Sequence, residues 1–167
     1  MFYTVFETAA GWVGIMGSAA GLRRATLPQP SKHEAYISLG DGLKDARETP
    51  PRFAGLIERY QAYFNGHRVD FTDALDLAGA TLFQRAVWRA AGGIPYGQTR
   101  SYSWVAGRAV NPRAVRAAGQ ALSVNPLPVI VPCHRVLAKD GGLGGYSGGL
   151  AMKKRLLKLE ASASMKN

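Results

Sequence analysis

The sequence has a single cysteine, Cys133, among its 167 residues. This scarcity excludes an internal disulfide and a metal site built from several cysteines. The three histidines are scattered along the chain, so we expect no metal ion. No apolar run approaches the roughly 18 residues that span a membrane. Glu7 interrupts the apolar N-terminus, which also lacks the basic start of a signal peptide. We therefore expect a cytoplasmic protein without a membrane partner.

Acidic residues are rare in the second half of the chain. Residues 1–79 carry 8 Lys or Arg and 9 Asp or Glu, whereas residues 80–167 carry 13 and 2. The net charges of the two parts are therefore −1 and +11. Such an asymmetry favours a polyanionic partner, since each phosphate contact releases counterions. The alternative is a basic surface that serves only solubility.

The first part of the chain predicts a small α+β unit over residues 1–78. Alternating apolar residues, punctuated by glycines, predict strands over 2–8, 11–18 and 22–27. Residues 28–51 are polar and rich in proline and glycine, which predicts mostly loop, with a short strand over 35–39. An amphipathic helix follows from Phe53 to about Gly66. Residues 70–77 are expected to form a strand or an extended connector.

The second part, over residues 79–167, predicts a mainly helical domain. Thr81 and Gln84 form a capping box, and Ser101 can cap a short helix. Asn111 followed by Pro112 indicates another helix start, so two closely linked helices resemble a helix-turn-helix. A buried extended segment over 126–132, a glycine-rich loop and a last helix over about 150–160 complete the domain.

The second helix of this pair has little side-chain bulk. Such a helix allows another surface to approach closely, and its arginines favour a nucleic-acid groove. The alternative is that the alanines are good helix formers packed on the core. The residues concerned are Arg113, Ala114, Arg116, Ala117, Ala118, Gly119 and Ala121.

Cys133 follows an apolar run and Pro132, and it precedes His134 and Arg135. A neighbouring histidine and cation favour the thiolate, which is the nucleophilic form of cysteine. The alternative is a buried cysteine that acts as a small hydrophobic residue.

Glu160 shares a helical face with Leu156, close to the expected end of the last helix, where negative charge is disfavoured. This position indicates a buried partner, for which His134 is the candidate, and predicts a Cys–His–Glu relay. The alternative is a frayed last turn with Glu160 in water. The glycine-rich residues 141–149 match neither a dinucleotide-binding loop nor a P-loop. Their glycines allow backbone amides to approach a ligand or a flipped base.

Several motifs, in one order, resemble the O6-alkylguanine-DNA alkyltransferases. The resemblance is dense over residues 81–160 and weaker over 1–78. It is carried by Phe83-Gln84, Ile94-Pro95-Tyr96-Gly97, Ser101-Tyr102, Asn111-Pro112, Asn125-Pro126, Pro132-Cys133-His134-Arg135-Val136 and Tyr146-Ser147-Gly148-Gly149-Leu150.

The resemblance implies an α+β chain with a small RNase H-like N-terminal domain. A mainly helical C-terminal domain, winged-helix-like and containing the helix-turn-helix, would then bind the minor groove of double-stranded DNA. The implied reaction is repair without a cofactor: O6-alkylguanine, or more weakly O4-alkylthymine, is flipped out and its alkyl group moves irreversibly to Cys133. The expected form is a monomer, with cooperative binding along DNA as an open alternative.

The resemblance also implies a role for individual residues. Cys133 would attack as a thiolate activated by His134, through a water molecule, and by Glu160, while Tyr102 would protonate guanine N3. Arg116 would replace the flipped nucleotide, and Asn125 would tie the recognition helix to the active-site strand. Backbone groups of Cys133, Val136 and Ser147 would read the guanine edge, and Tyr146 would form a wall of the pocket. The DNA-facing helix would present Arg113, Ala117 and Gly119.

Two features depart from the family pattern. Some members bind zinc through cysteines and histidines of the N-terminal domain, but residues 1–79 contain no cysteine. Trp104 occupies a position where a smaller or polar residue is expected, so it either packs inward or alters the DNA-facing surface. Two rival functions remain: a non-catalytic alkyltransferase-like protein that binds lesions, and a cysteine hydrolase that uses Cys133 and His134.

Overall fold

The computed structural model describes residues 1–166, with side chains through Ala163. Contacts divide the chain into two compact units, Met1–Leu77 and a second that begins at Ala78. The strands are β1 (Phe2–Thr8), β2 (Gly11–Ser18), β3 (Gly21–Ala25), β4 (Arg47–Glu48), β5 (Arg100–Ser101) and β6 (Val136–Leu137). The helices are α1 (Lys32–Ser38), α2 (Ala54–Phe64), α3 (Leu82–Gly92), α4 (Tyr102–Ala109), α5 (Val115–Ser123) and α6 (Leu150–Lys166). This arrangement confirms the predicted α+β class.

The first unit is built on a four-stranded sheet with strand order β3-β2-β1-β4. Strands β1 and β2 form an antiparallel hairpin in which Tyr3 lies opposite Met16, and β4 pairs parallel to β1. Because side chains alternate along a strand, the sheet has two apolar faces. Val5 and Met16 pack against α1 on one face, and Phe6 contacts Tyr60 of α2 on the other, with ring centroids 5.6 Å apart.

The strand predicted over residues 35–39 is wrong, because these residues belong to α1 and the turn after it. Ser31 caps the helix by accepting a hydrogen bond from the Glu34 backbone, and Ala35 and Leu39 lie one turn apart, fully buried. Gly14 of β2 makes this packing possible, since a β-carbon there would lie 2.9 Å from the Ala35 carbonyl oxygen. The spacing Ser31-x-x-Glu34 is a helix start that the proline-rich surroundings obscure.

The second unit packs α3, α4 and α5 together. Thr81 and Gln84 form the predicted capping box of α3, and Ser101 caps α4. The prediction that α5 starts at Asn111 is wrong: the helix begins at Val115, and Asn111 instead closes a turn by accepting a hydrogen bond from the Arg113 backbone. A short polar side chain competes in this way with helix formation by bonding its own backbone.

Two further predictions about the second unit need correction. Residues 126–132 are buried but turn sharply, because Val131 donates a backbone hydrogen bond to Leu127, and Val129 has a φ of 74°. Helix α6 extends to Lys166, well past the predicted end near residue 160. Glu160 therefore lies within the helix, and a position at the helix end does not explain its burial. None of the helices in residues 1–166 combines the length and apolar character needed to cross a membrane.

Candidate active site

A cavity of about 500 Å³ opens in the second unit beside Cys133. This volume falls in the range of small-molecule sites in proteins. Five other predicted site residues line it, which the sequence separates by up to 45 positions. They are Tyr102 at the start of α4, Arg116 and Gly119 on α5, and Tyr146 and Ser147 in the glycine-rich loop.

Cys133 begins a short 3₁₀ turn, and only 5% of its surface is exposed. Burial raises the pKa of its thiol above the ordinary value, and hydrogen bonds from Asn125 and Tyr146, with the charge of Lys153, oppose this effect without cancelling it. Neither His134 nor Arg135 is among the groups that lower the pKa of this thiol, and desolvation outweighs the groups that do.

His134, Arg135 and Glu160 form a buried charge network behind Cys133. The Nε2 atom of His134 lies 2.8 Å from Glu160 Oε1, and Arg135 donates to both carboxylate oxygens at 2.8–3.1 Å. Arg135 also donates to the Ile94 carbonyl at 2.7 Å. The predicted pairing of His134 with Glu160 is present in the structure, and Arg135 binds the carboxylate of Glu160 rather than the sulfur of Cys133.

This network sets the charge of its members. Burial alone would raise the pKa of Glu160, but hydrogen bonds from His134 and Arg135 outweigh it and lower the pKa to about 2. Burial lowers the pKa of His134 despite its bond to Glu160. A neutral His134 that donates from Nε2 carries a free lone pair on Nδ1. Nδ1 is buried without a hydrogen-bond partner among the described residues.

Asn125 holds the turn that delivers Cys133. Its Nδ2 donates to the Val131 carbonyl at 2.9 Å and to Cys133 Sγ at 3.1 Å, and its Oδ1 accepts from the Leu127 backbone at 2.9 Å. Asn125 follows α5 directly. One side chain thus connects the end of the helix with the backbone beside the sulfur.

Comparisons with known proteins agree on one family. Residues 82–162 match the model described as 6-O-methylguanine DNA methyltransferase, DNA binding domain. A methylated-DNA--protein-cysteine methyltransferase of Methanosarcina acetivorans is 39% identical over 162 residues, which cover 97% of this chain and 99% of the relative. The chain belongs to the O6-methylguanine-DNA methyltransferase family. A relative of the same name from Mycolicibacterium paratuberculosis is 50% identical over 113 residues, 68% of each chain.

Solved structures extend the likeness over almost the whole chain. The crystal structure of Mycobacterium tuberculosis OGT in complex with DNA has a TM-score of 0.81 and 36% identity, covering 98% of this chain and 94% of that one. The methyltransferase of Pyrococcus kodakaraensis has a TM-score of 0.65 at 25% identity. The resemblance drawn from the sequence motifs is thereby confirmed.

Helix α5 and the turn before it present the small, charged surface that the sequence predicts. Arg113 in the turn, and Arg116 and Ala117 on the helix, are exposed, and Gly119 is half-buried. Of these four, Arg116 and Gly119 line the cavity, whereas Arg113 and Ala117 do not. The inner face of the helix packs through Ala118, Ala121 and Leu122.

The glycine-rich loop forms the opposite wall of the cavity. The Tyr102 hydroxyl donates to the Gly145 carbonyl at 3.1 Å, and burial raises the pKa of this tyrosine. Gly144 has a φ of +65°, and a β-carbon there would lie 2.7 Å from the Tyr102 ring, so the close approach requires glycine. Val136 does not line the cavity: it is fully buried beneath the loop.

Trp104 does not pack into the core, which was one of the two arrangements considered for it. Its half-buried ring lies near two guanidinium groups, with Arg100 of β5 at 5.5 Å and Arg108 of α4 at 5.4 Å from the ring centroid. An altered DNA-facing surface stays a prediction.

Sequence reasoning missed the most deeply buried cation of the site, Lys153. Lys153 precedes Leu156 by three residues and Glu160 by seven, so it lies on the buried stripe of α6. This spacing in the sequence could have predicted its burial. Among residues 1–166, no three His, Cys, Asp or Glu side chains are grouped as metal ligands.

Proposed function

We propose that this chain repairs DNA by transferring an alkyl group from O6-alkylguanine to Cys133, once per molecule. The observation that carries the proposal is the position of Cys133, which lines a cavity with room for a purine base and precedes a buried histidine whose Nδ1 has no hydrogen-bond partner among the described residues. Family membership supplies the reaction class, and the cavity supplies the place for the substrate.

The proposed reaction begins with proton transfer from the thiol to His134 Nδ1, through a water molecule. Glu160 stabilises the imidazolium that forms, because its low pKa keeps it anionic. The thiolate then attacks the alkyl carbon, a C–S bond forms and the bond from carbon to O6 breaks. Its electrons pass to the guanine, which takes a proton at N3 from Tyr102. The tyrosinate left behind regains a proton through solvent, and the His134 imidazolium releases the one it took from the thiol. The products are an S-alkylcysteine and an unmodified guanine.

Duplex DNA is the partner that the family and the charge distribution support, and we propose that it binds through its minor groove. The exposed surface of α5 combines small residues with Arg116, and Arg113 lies in the turn just before the helix. Small residues allow backbone approach to a narrow groove, and an arginine at the cavity rim can fill the space left by a flipped nucleotide. We propose a monomer acting in the cytoplasm, where a free catalytic thiol stays reduced.

Mass spectrometry of the intact protein after incubation with an O6-methylguanine duplex tests this proposal. We expect one methyl group, located on the Cys133 peptide, at a stoichiometry that never exceeds one. Cys133→Ser is the matched control, and it should bind the duplex without acquiring the methyl group.

The other outcomes separate the rival functions. Tight binding of the lesion by the wild-type protein without an adduct indicates a lesion-binding module. Repair of many lesions per protein molecule indicates a hydrolase. Either result contradicts the single transfer proposed here.

A further inference from the structure

Two polar residues of α5 line the cavity and have no part in the proposed reaction. They are Gln120 and Ser123, which follow Arg116 by four and seven residues and therefore share its face of the helix. All three residues are exposed, so they lie at the mouth of the cavity rather than in its depth. The mouth thus has a polar edge along α5.

The side chains of this edge differ in the hydrogen bonds that they still have to offer. The Ser123 hydroxyl donates to the Gln120 backbone carbonyl at 2.6 Å, so its proton is already in use. The side-chain amide of Gln120 makes no hydrogen bond within the part of the chain that the structure describes. An amide offers two N–H donors and one acceptor oxygen. Gln120 is therefore a neutral group on this edge whose donors are available to a ligand.

The part of a nucleotide that reaches the mouth follows from the position of the sulfur. Cys133 lines the cavity and is only 5% exposed, so a base that reacts with it must enter the cavity. The sugar and the two adjoining phosphates then stay outside, because the DNA strand continues on both sides of the nucleotide. Gly119, next to Gln120, has no side chain to hold that strand at a distance.

The charges at the mouth favour a phosphate over a cationic or neutral group. No Asp or Glu is among the described residues that line the cavity. Arg116, one helical turn before Gln120, forms no ion pair with any described residue. Glutamine amides are among the common donors to phosphate oxygens in DNA complexes, and a hydrogen bond to a charged acceptor is stronger than one to a neutral acceptor.

We propose that Gln120 is a binding residue for the extruded nucleotide: its side-chain amide donates a hydrogen bond to a phosphate next to the lesion and so holds the base in the cavity. The inference rests on the proposed function, because it concerns the substrate of that reaction. Arg116 and Gln120 then have separate roles one helical turn apart. Arg116 fills the gap in the base stack, whereas Gln120 holds the backbone of the nucleotide that left it.

Three substrates separate these two roles. A duplex with O6-methylguanine needs extrusion and phosphate binding, a single strand with the same lesion has no base pair to break, and free O6-benzylguanine has neither a partner base nor a phosphate. We expect Gln120→Ala to slow reaction with the duplex and with the single strand by a similar factor, roughly 3- to 10-fold, since water competes for a hydrogen bond at the mouth. Free O6-benzylguanine should be affected least.

Two further variants complete this comparison. Arg116→Ala should slow repair of the duplex much more than repair of the single strand. Gln98→Ala removes an exposed amide of the same unit that does not line the cavity, and it should match the wild type. If Gln120→Ala slows all three substrates equally, or slows the duplex alone, the phosphate contact is overturned.

A neutral linkage in the substrate tests the contact directly. Methylphosphonate removes the charge of a single phosphate, and it is placed on the 5′ or the 3′ side of the lesion in a single strand. At one of the two positions it should slow the wild type and leave Gln120→Ala at its already reduced rate, because the variant has no hydrogen bond to lose there. Losses that add independently at both positions overturn the proposal.

Gln120→Glu keeps the size of the side chain and replaces its donors by a carboxylate, which repels a phosphate. This variant should react with the single strand more slowly than Gln120→Ala. A rate equal to or above that of Gln120→Ala contradicts a phosphate partner. Because residue 120 is exposed, these substitutions should leave the fold intact, and urea unfolding checks this.

A binding measurement keeps this inference separate from the proposed function. In the background of Cys133→Ser, which cannot transfer the alkyl group to sulfur, Gln120→Ala should weaken binding of a single strand with O6-methylguanine, whereas Gln98→Ala should not. Fluorescence anisotropy measures both affinities. Failure of the wild type to accept an alkyl group from DNA contradicts the proposed function alone, whereas equal affinities of the two double variants overturn the role of Gln120.

Discussion

Glu160 and Arg135 are almost completely buried, whereas Arg113 and Arg116 of the same unit are exposed to solvent. The buried charges bind each other at 2.8–3.1 Å and fix the geometry behind Cys133. The exposed arginines make no ion pair among the described residues, so their charge is available to a binding partner. One unit thus uses burial to set protonation states and exposure to attract a polyanion.

The largest effect should come from breaking the buried network. Glu160→Gln leaves Arg135 without a carboxylate, and we expect the free energy of unfolding to fall by about 3–5 kcal/mol. Urea unfolding measures this loss. The control is Glu58→Gln on the exposed side of α2, which should change stability by less than about 0.5 kcal/mol. Equal losses in the two variants contradict the difference drawn between buried and exposed charge.

Acidification should weaken the same network without a mutation. The pKa of Glu160 is about 2 in the folded chain, below its ordinary value, so its contribution is complete above about pH 4.5 and is lost as the pH falls towards 2. This loss reaches roughly 3 kcal/mol. The pKa of His134 is also lowered in the folded chain. Below about pH 6.5 the unfolded chain therefore binds this proton more readily than the folded chain, which lowers the free energy of unfolding.

Thermal unfolding between pH 7 and pH 3 follows both contributions. Stability should decline on the acid side of pH 6.5 and more steeply below pH 4.5. Glu160→Gln should lack the steeper decline. If that variant shows the same acid sensitivity as the wild type, Glu160 is not the group responsible.

Arg116 tests the exposed side of the comparison. Arg116→Ala should slow repair of an O6-methylguanine duplex by roughly 10- to 100-fold, since extrusion of a base costs a few kcal/mol. Reaction with free O6-benzylguanine, which needs no extrusion, should change less than about twofold. Arg155→Ala removes an exposed charge from α6 and serves as the control. Equal slowing with both substrates rejects the extrusion role.

The smallest effect should come from Arg113, which lies outside the cavity. We expect Arg113→Ala to reduce the slope of log affinity for duplex DNA against log salt concentration by about one, because one phosphate contact is lost. Fluorescence anisotropy over a salt series measures the slope. Glu160→Gln should leave it unchanged, and a change of similar size there would show that the buried network also shapes DNA binding.

Local sequence patterns predicted the elements that carry their own signals. The capping box at Thr81 and Gln84 and the cap at Ser101 are local contacts, and both are present. Helix α1 was missed because it buries little, Ala35 within it and Leu39 just after it, and because it follows a proline-rich stretch. Its stability comes from packing on the sheet at Gly14, a contact that no local pattern contains.

The candidate site was predicted in its residues more than in its electrostatics. The sequence predicted that Cys133, His134 and Glu160 form one relay, and in the structure the last two lie 2.8 Å apart. It assigned Arg135 to the sulfur and overlooked Lys153, whereas the structure pairs Arg135 with Glu160 and buries Lys153 under the loop. Adjacency in the chain is a poor guide to which groups share a charge.

The sequence by itself determined the separation of charge between the two parts of the chain, the single nucleophile and the family to which its motifs point. Only the tertiary structure decided that burial raises the pKa of the Cys133 thiol and that hydrogen bonds from His134 and Arg135 lower the pKa of Glu160 to about 2. The physical reason is that protonation depends on desolvation and on partners brought close by folding, such as Arg135 and Glu160, which are 25 residues apart in the chain.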